Sequence, residues 1–207
     1  MKKLGMIVAV AGAFVVAPLA QAAPIMFFTT LSGAAEAPPN ASPGTGTATI
    51  VIDTVANTLV IDAQWSGLVN IAPGAGTPGT SVAHIHCCTG IPGTGAVGVA
   101  VTPGTLPGFP VGTLSGTYHV ELNTEAITTY TNAFLNNAVF GGGGTVQGAE
   151  AALLVGLNSG SAYFNIHSAQ FPGGEIRGFL QVPEPASLAL LGLGLLGLGF
   201  SRRNYTS

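Results

Sequence analysis

Short runs in which β-branched and aromatic residues alternate with polar ones occur along most of the chain. Clusters of glycine, proline, asparagine and serine separate them, as expected between the strands of an antiparallel all-β domain. The predicted strands span residues 27–31, 46–52, 58–65, 82–86, 97–101 and 117–122. Residues 53–57 join the second and third runs, and a connection of that length predicts a hairpin.

The last third of the body changes its pattern. Apolar residues recur at helical spacing over 124–134, with Thr124 as the expected N-cap, and 146–157 is a second helix candidate. Residues 162–167 and 175–181 predict a terminal hairpin. Setting His167 opposite Glu175, and Asn165 opposite Arg177, places both polar rows on one side of that hairpin. A slip by one residue would bury Glu175 and Arg177, so the pattern favours this register.

The distribution of charge separates the body of the chain from its ends. Charged residues make up 6% of the sequence, against about 25% in an ordinary soluble domain. Four of the five basic residues are terminal: Lys2, Lys3, Arg202 and Arg203. The body, 23–182, holds seven carboxylates and only Arg177, for a formal charge of −6. Such a body has no basis for binding nucleic acid or anionic headgroups, and its size suits one domain.

The first 22 residues have the organisation of a secretory signal peptide. Two lysines precede an apolar run over 4–19, and Ala20 and Ala22 satisfy the small-x-small rule of signal peptidase. Cleavage is expected after Ala22, with an uncleaved anchor as the alternative. The body would then fold outside the reducing cytosol, where disulfides persist.

Residues 183–207 form a distinct C-terminal segment. Pro183, Glu184 and Pro185 interrupt regular structure, and an apolar stretch over 186–200 precedes Arg202 and Arg203. A helix of that length rises about 22 Å, less than the roughly 30 Å hydrocarbon core. We therefore expect transient anchoring in the inner membrane, with the basic pair on the cytoplasmic side.

This segment resembles the PEP-CTERM sorting tail of Gram-negative bacteria. The resemblance implies that an exosortase cuts near the Pro-Glu-Pro tripeptide and releases the body. It also implies a final location at the cell surface or in an extracellular matrix of exopolysaccharide. The finished protein would then keep no spanning helix, as with other removable tails.

An ordered set of short motifs follows along the body. They are Leu-Ser-Gly at 31–33, Glu-Ala-Pro-Pro at 36–39, Ser-Gly-Leu at 66–68, Ala-His-Ile-His at 83–86, Asn-Ile-His-Ser at 165–168 and Phe-Pro-Gly-Gly-Glu-Ile-Arg-Gly at 171–178. This set resembles the CHRD domain, over about residues 26–182. The resemblance implies an immunoglobulin-like antiparallel β-sandwich and no established catalytic activity. Cys87 and Cys88 depart from it, since many members have glycine or small residues there.

The histidines suggest a metal site. Alternation places His84, His86 and Cys88 on one face of their strand. Cα atoms two residues apart on a strand lie about 6–7 Å from each other, so two imidazoles can converge on one ion. The hypothesis is a Cu or Zn site of His84, His86 and His167, with Cys88 or Glu175 as a further ligand. The alternative is that these rings hydrogen-bond within a polar sheet face.

Glu175 and Arg177 are expected to be neighbours on one sheet face, where either can pair across strands, and a partly exposed pair is worth about 0–1 kcal/mol. Adjacent Cα atoms lie about 3.8 Å apart, below the usual disulfide range, so a bridge between Cys87 and Cys88 would be strained. The two cysteines are expected as free thiols or a metal ligand, and an intermolecular bridge is the other alternative. On alternation Cys87 would be buried, and Cys88 would face the polar side.

The sequence carries no local signature of a catalytic nucleophile and singles out no pair of carboxylates. Trp65 is expected in the core. The predicted function is therefore a non-enzymatic structural or binding module of the bacterial envelope. The second hypothesis is a metal-binding protein, with redox chemistry as one option.

Overall fold

The computed structural model describes residues 23–70 and 76–183, and they form a mostly β structure. The strands are β1 Ile25–Ser32, β2 Thr45–Asp53, β3 Thr58–Ser66, β4 Thr80–His86, β5 Val99–Val101, β6 Gly116–Asn123, β7 Tyr163–Ser168 and β8 Ile176–Phe179. The α-helices in these residues are α1 Asn132–Leu135 and α2 Val146–Ser159. The predicted all-β class is confirmed.

The strands form one antiparallel sheet in the order β5-β4-β7-β8-β1-β2-β3-β6, curled into a half-barrel. β1 is the strand that joins its two halves. On one side it pairs with β2 over its whole length, and on the other side Ser32 lies opposite Arg177 of β8. The sandwich implied by the family resemblance would have two sheets, whereas here this double pairing makes them one continuous sheet.

The inner face of the curled sheet carries the core. Alternate positions such as Phe27, Ile50 and Ile61 are completely buried, and Leu153 of α2 packs into the same cluster. Each such side chain contributes about 1.5–3 kcal/mol by leaving water. Trp65 is 3% exposed and belongs to this core, as predicted.

One helix prediction was too long and the other was confirmed. Within 124–134 only α1 is α-helical, and Thr131 caps it by accepting a hydrogen bond from the backbone of Phe134. Thr124 is instead buried, and its hydroxyl donates to Glu150. The backbone at Ala126 is extended (φ −80°, ψ 124°) and leads into a 3-10 turn over Ile127–Thr129, so no α-helix begins at Thr124. α2 runs over the predicted range and ends at Gly160, whose φ of 69° suits glycine.

Both hairpin predictions were confirmed. Asp53 pairs with Thr58 at the β2–β3 turn, and Asn165 pairs with Arg177 in the terminal hairpin. Among residues 23–70 and 76–183, no helix is both long and apolar enough to cross a membrane. The predicted signal segment and the apolar stretch over 186–200 lie outside the described residues.

Candidate metal centre

The polar face of β4, β7 and β8 is buried. All six residues of β7 are buried, so this strand is covered on both sides. Phe164 and Ile166 belong to the hydrophobic core, while alternation turns Asn165 and His167 the other way. Loops close over that second side, and they contribute backbone carbonyl groups to the histidines beneath them.

Three of the four histidines meet under these loops. His84, His86 and His167 are 7%, 7% and 9% exposed. Each hydrogen-bonds through one ring nitrogen to a backbone oxygen. The bonds are His84 Nε2 to Gly104 O at 2.9 Å, His86 Nδ1 to Val97 O at 2.7 Å and His167 Nδ1 to Pro172 O at 2.8 Å. A carbonyl only accepts, so each bonded nitrogen carries the proton and the other nitrogen presents a lone pair.

The three unprotonated nitrogens converge. Each of His84, His86 and His167 offers one ring nitrogen, and these three atoms lie within 4.8 Å of one another. His84 Nδ1 and His167 Nε2 are 3.4 Å apart. Asn165 Oδ1, a further acceptor, is 3.1 Å from His167 Nε2. Among the described residues, His86 Nε2 is buried and has no hydrogen-bond partner. If the Asn165 amide were turned round, it would still offer only two N–H donors to three nitrogens.

Burial keeps these rings neutral. It lowers the pKa of His84 and of His167, and it lowers the pKa of His86 from 6.5 to about 4. The hydrogen bonds to backbone carbonyls favour the protonated rings, but desolvation is the larger effect in all three. Near pH 7 each ring is therefore a neutral imidazole, which is the form that binds metal ions.

The expectation of free thiols was wrong, because Cys87 and Cys88 form a disulfide. β4 ends at His86, so strand alternation no longer decides where the next two side chains point. Both sulfur atoms lie against α2 at Gly156, where a Cβ atom would come within 2.5 Å of either. The sulfur of Cys88 is thus bonded to its neighbour and lies beside a helix, and it does not join the three histidines.

Glu175 also stands apart from the histidine cluster. It precedes β8, is completely buried, and its Oε1 accepts hydrogen bonds from the Ser42 hydroxyl and the Val69 backbone, both at 2.7 Å. It is not a member of the convergent group. The sequence predicted that this carboxylate lies on the histidine face. Its hydrogen bonds with Ser42 and Val69 hold it away from the histidines instead.

Arg177 has a partner that the sequence analysis missed. Its Nε lies 3.7 Å from Glu36 Oε2, and both side chains are buried, so the expectation of a partly exposed pair was wrong. Burial raises the pKa of Glu36 from 4.5 to about 7, although Arg177 lowers it. The guanidinium lies 4.7 Å over the Tyr163 ring, which in turn stacks on His86 at 4.6 Å. The buried ion pair thus borders the histidine cluster.

The fold and this site define an all-β domain with a buried polar centre. The chain matches the CHRD domain over residues 27–180 and the PEP-CTERM protein-sorting motif over 181–203. It therefore belongs to the CHRD domain family. The sorting motif marks an exported protein targeted to the cell surface and implies processing by an exosortase. No curated protein and no solved structure matches the chain.

Proposed function

We propose that this exported protein binds one Cu or Zn ion through His84, His86 and His167. The observation that carries the proposal is a set of three buried imidazole nitrogens that face one another, of which His86 Nε2 has no hydrogen-bond partner among the described residues. Lone pairs placed this way repel, and a proton or a cation between them relieves the repulsion. Burial disfavours the proton, as the lowered pKa values indicate, so a metal ion is the better fit.

The spacing of the ligand atoms suits a tetrahedral ion. With Zn–N bonds of about 2.0–2.1 Å, tetrahedral coordination separates two ligand nitrogens by about 3.3 Å. His84 Nδ1 and His167 Nε2 are 3.4 Å apart. The three histidines each offer one nitrogen within 4.8 Å of the other two, so a small shift of the His86 ring completes the triangle. Asn165 Oδ1, 3.1 Å from His167 Nε2, is the candidate fourth ligand.

The loops would act as the outer layer of this site. Ligating histidines usually donate their second nitrogen to a carbonyl or carboxylate, which fixes the tautomer and the ring orientation. Val97, Gly104 and Pro172 supply those carbonyls here. Their bonds leave the convergent nitrogen of each ring free for an ion, with no proton to displace near pH 7.

The chemistry of the candidate ligands limits which metal ions the site can bind. Because the Cys88 sulfur is held in the disulfide, no thiolate contributes, and the ligands are imidazoles with an amide oxygen. Imidazole suits both zinc and copper. All these ligands are neutral, so a buried divalent ion would keep its whole charge, which is costly in a low-dielectric interior. Cu(I), with half that charge, is therefore included beside Zn(II) in the test.

After export, the proposed metal site would lie outside the cell. Signal peptidase would cut after Ala22, and the tail would hold the chain in the inner membrane until an exosortase cuts near 183–185. The body, 23–182, would then reach the surface or an exopolysaccharide matrix as a metal-holding module. The sorting motif supports the export route, and the acidic, charge-poor body suits a role that needs no nucleic acid.

The test is the metal content of protein exported to the periplasm and purified without chelator. We expect about one equivalent of copper or zinc by mass spectrometry, lost in His84→Ala/His86→Ala. His119→Ala is the matched control, since this fourth histidine pairs with Asp62 on the exposed surface and should keep the metal. A folded protein without metal, also after titration with Zn(II) and Cu(I), would overturn the proposal in favour of a structural module.

A further inference from the structure

The two edge strands of the sheet differ in whether other parts of the described chain hydrogen-bond to them. At one edge, β5 has only three residues, and Thr131 covers it. The Thr131 backbone N–H donates to the Ala100 carbonyl at 3.0 Å, and its hydroxyl donates to the Val99 carbonyl at 2.6 Å. This is the usual protection of an edge against pairing with another chain.

The other edge, β6, is open in the described structure. β6 has eight residues and pairs with β3 along its length. Within 23–70 and 76–183, no backbone group outside the β3 ladder hydrogen-bonds to residues 117–122. Its sequence, Gly-Thr-Tyr-His-Val-Glu-Leu-Asn, has no lysine or proline, the residues that usually block an open edge. The edge thus presents a row of backbone donors and acceptors.

We infer that β6 pairs antiparallel with β6 of a second copy of this chain, centred on Val120. The side chains of β6 alternate: Tyr118, Val120 and Leu122 face inward, while His119 and Glu121 are exposed. Directly opposite residues share a face of the sheet, so a symmetric pair must be centred on a residue and not between two. Centring on His119 or Glu121 would set two like groups against each other.

Centring on Val120 makes the strand complementary to itself. His119 then lies opposite Glu121 of the second copy, and Tyr118 lies opposite its Leu122. Two histidine–carboxylate pairs and two apolar pairs form at once, with Val120 opposite Val120 on the two-fold axis that relates the two copies. Asp62, 2.7 Å from His119 Nδ1, already orients that ring on the neighbouring strand. The dimer continues the hydrogen-bonded sheet across two chains and does not involve the histidine cluster.

A cysteine on the axis tests the register. In Val120→Cys the two Cα atoms would lie about 4.5–5.5 Å apart, which permits a disulfide between the copies. In Thr117→Cys they would lie about 20 Å apart, which does not. We expect a cross-linked dimer on non-reducing gels for the first variant, and none for the second or for the unmodified protein. Equal cross-linking of both variants would overturn this register.

A charge variant tests the association without touching the core. Glu121→Lys sets a cation against His119 in both symmetric pairs and should weaken the dimer about tenfold in sedimentation equilibrium. Glu125→Lys makes the same charge change at an exposed position outside β6 and should have no effect. A protein that stays monomeric up to its solubility limit, or equal effects of the two lysine variants, would refute the proposal.

Discussion

The two halves of the sheet carry similar polar residues and use them in opposite ways. On β4, β7 and β8 the polar row is covered by loops, so that His84, His167 and Asn165 are buried. On β3 and β6 the polar row, with Asp62 and His119, is open to water. Both rows arise from the same strand alternation. Alternation thus decides which side a residue takes, while the loops decide whether that side meets solvent.

The difference changes the chemistry of histidine. His119 pairs with a carboxylate at 2.7 Å, and the two side chains are 67% and 55% exposed. The buried histidines are held by backbone carbonyls, which satisfy one nitrogen and leave the other as a lone pair. The buried arrangement stabilises neutral rings, since burial lowers the pKa of all three histidines. Among the described residues, the buried arrangement leaves His86 Nε2 without a hydrogen-bond partner.

The largest expected difference concerns the two ion pairs. Arg177→Met would leave Glu36 buried without its cation, and breaking a buried pair in this way costs about 3–5 kcal/mol. Asp62→Ala removes one partner of the exposed His119 pair and should cost no more than about 1 kcal/mol. The measurement is the free energy of unfolding in urea for both variants.

Methionine is chosen because it keeps much of the arginine stem against the Tyr163 ring. The change removes the charge together with the hydrogen bonds that Arg177 donates to the Ala35 and Gly95 carbonyls. Equal losses of stability in the two variants would contradict the contrast between the halves. A loss in Arg177→Met that Glu36→Gln fully rescues would assign the cost to the unpaired carboxylate.

The strands, the hairpins and the grouping of the histidines could be predicted from the sequence, whereas the burial of one polar row could not. The strands and both hairpins follow from alternation and turn residues, which act locally. Histidine spacing on β4 likewise predicted that His84 and His86 share a face, and the metal-site hypothesis grouped His167 with them. The structure brings all three together.

The predictions that were wrong or missed concern residues that lie beyond the ends of strands. Cys87 and Cys88 follow β4, so the alternation rule was extended one step too far. Glu36 pairs with Arg177 across 141 positions of the chain, and no local pattern encodes a contact of that kind. The carbonyls of Val97, Gly104 and Pro172 carry no side-chain signal at all. The closing of loops over a polar face is a tertiary event, and it gives the site its burial.

The next largest loss of stability is expected on substitution of Gly156, which lies against the disulfide. Gly156→Ala adds a Cβ atom within 2.5 Å of both sulfur atoms, and such overpacking costs about 1–3 kcal/mol. This loss should appear although alanine is the better helix former by about 1 kcal/mol. Gly90→Ala, where a Cβ atom would meet nothing within 4 Å, is the control and should be close to neutral. Thermal unfolding compares the two.

A double-mutant cycle locates the cause. In Cys87→Ala/Cys88→Ala the sulfur atoms are gone, so adding Gly156→Ala should no longer be destabilising. If the glycine substitution costs the same with and without the cysteines, the contact with the disulfide is not responsible.

The smallest expected effect is a slope against pH in the buried half. His86 has a pKa lowered by burial from 6.5 to about 4, so between these values the unfolded chain binds the proton that the folded chain refuses. Its contribution to the free energy of unfolding is complete above pH 6.5 and is lost as the pH falls towards 4, by no more than about 1.4 kcal/mol per pH unit.

His86→Gln keeps an N–H for the Val97 carbonyl but cannot titrate. In metal-free protein, the difference in unfolding free energy between wild type and His86→Gln should therefore shrink as the pH falls from 6.5 to 4.5. Glu36 titrates in the opposite sense, since its pKa is raised, but it is present in both proteins and cancels in the difference. Parallel curves over this range would mean that His86 is no more buried in solution than a surface ring, and the contrast between the two halves of the sheet would lose its electrostatic basis.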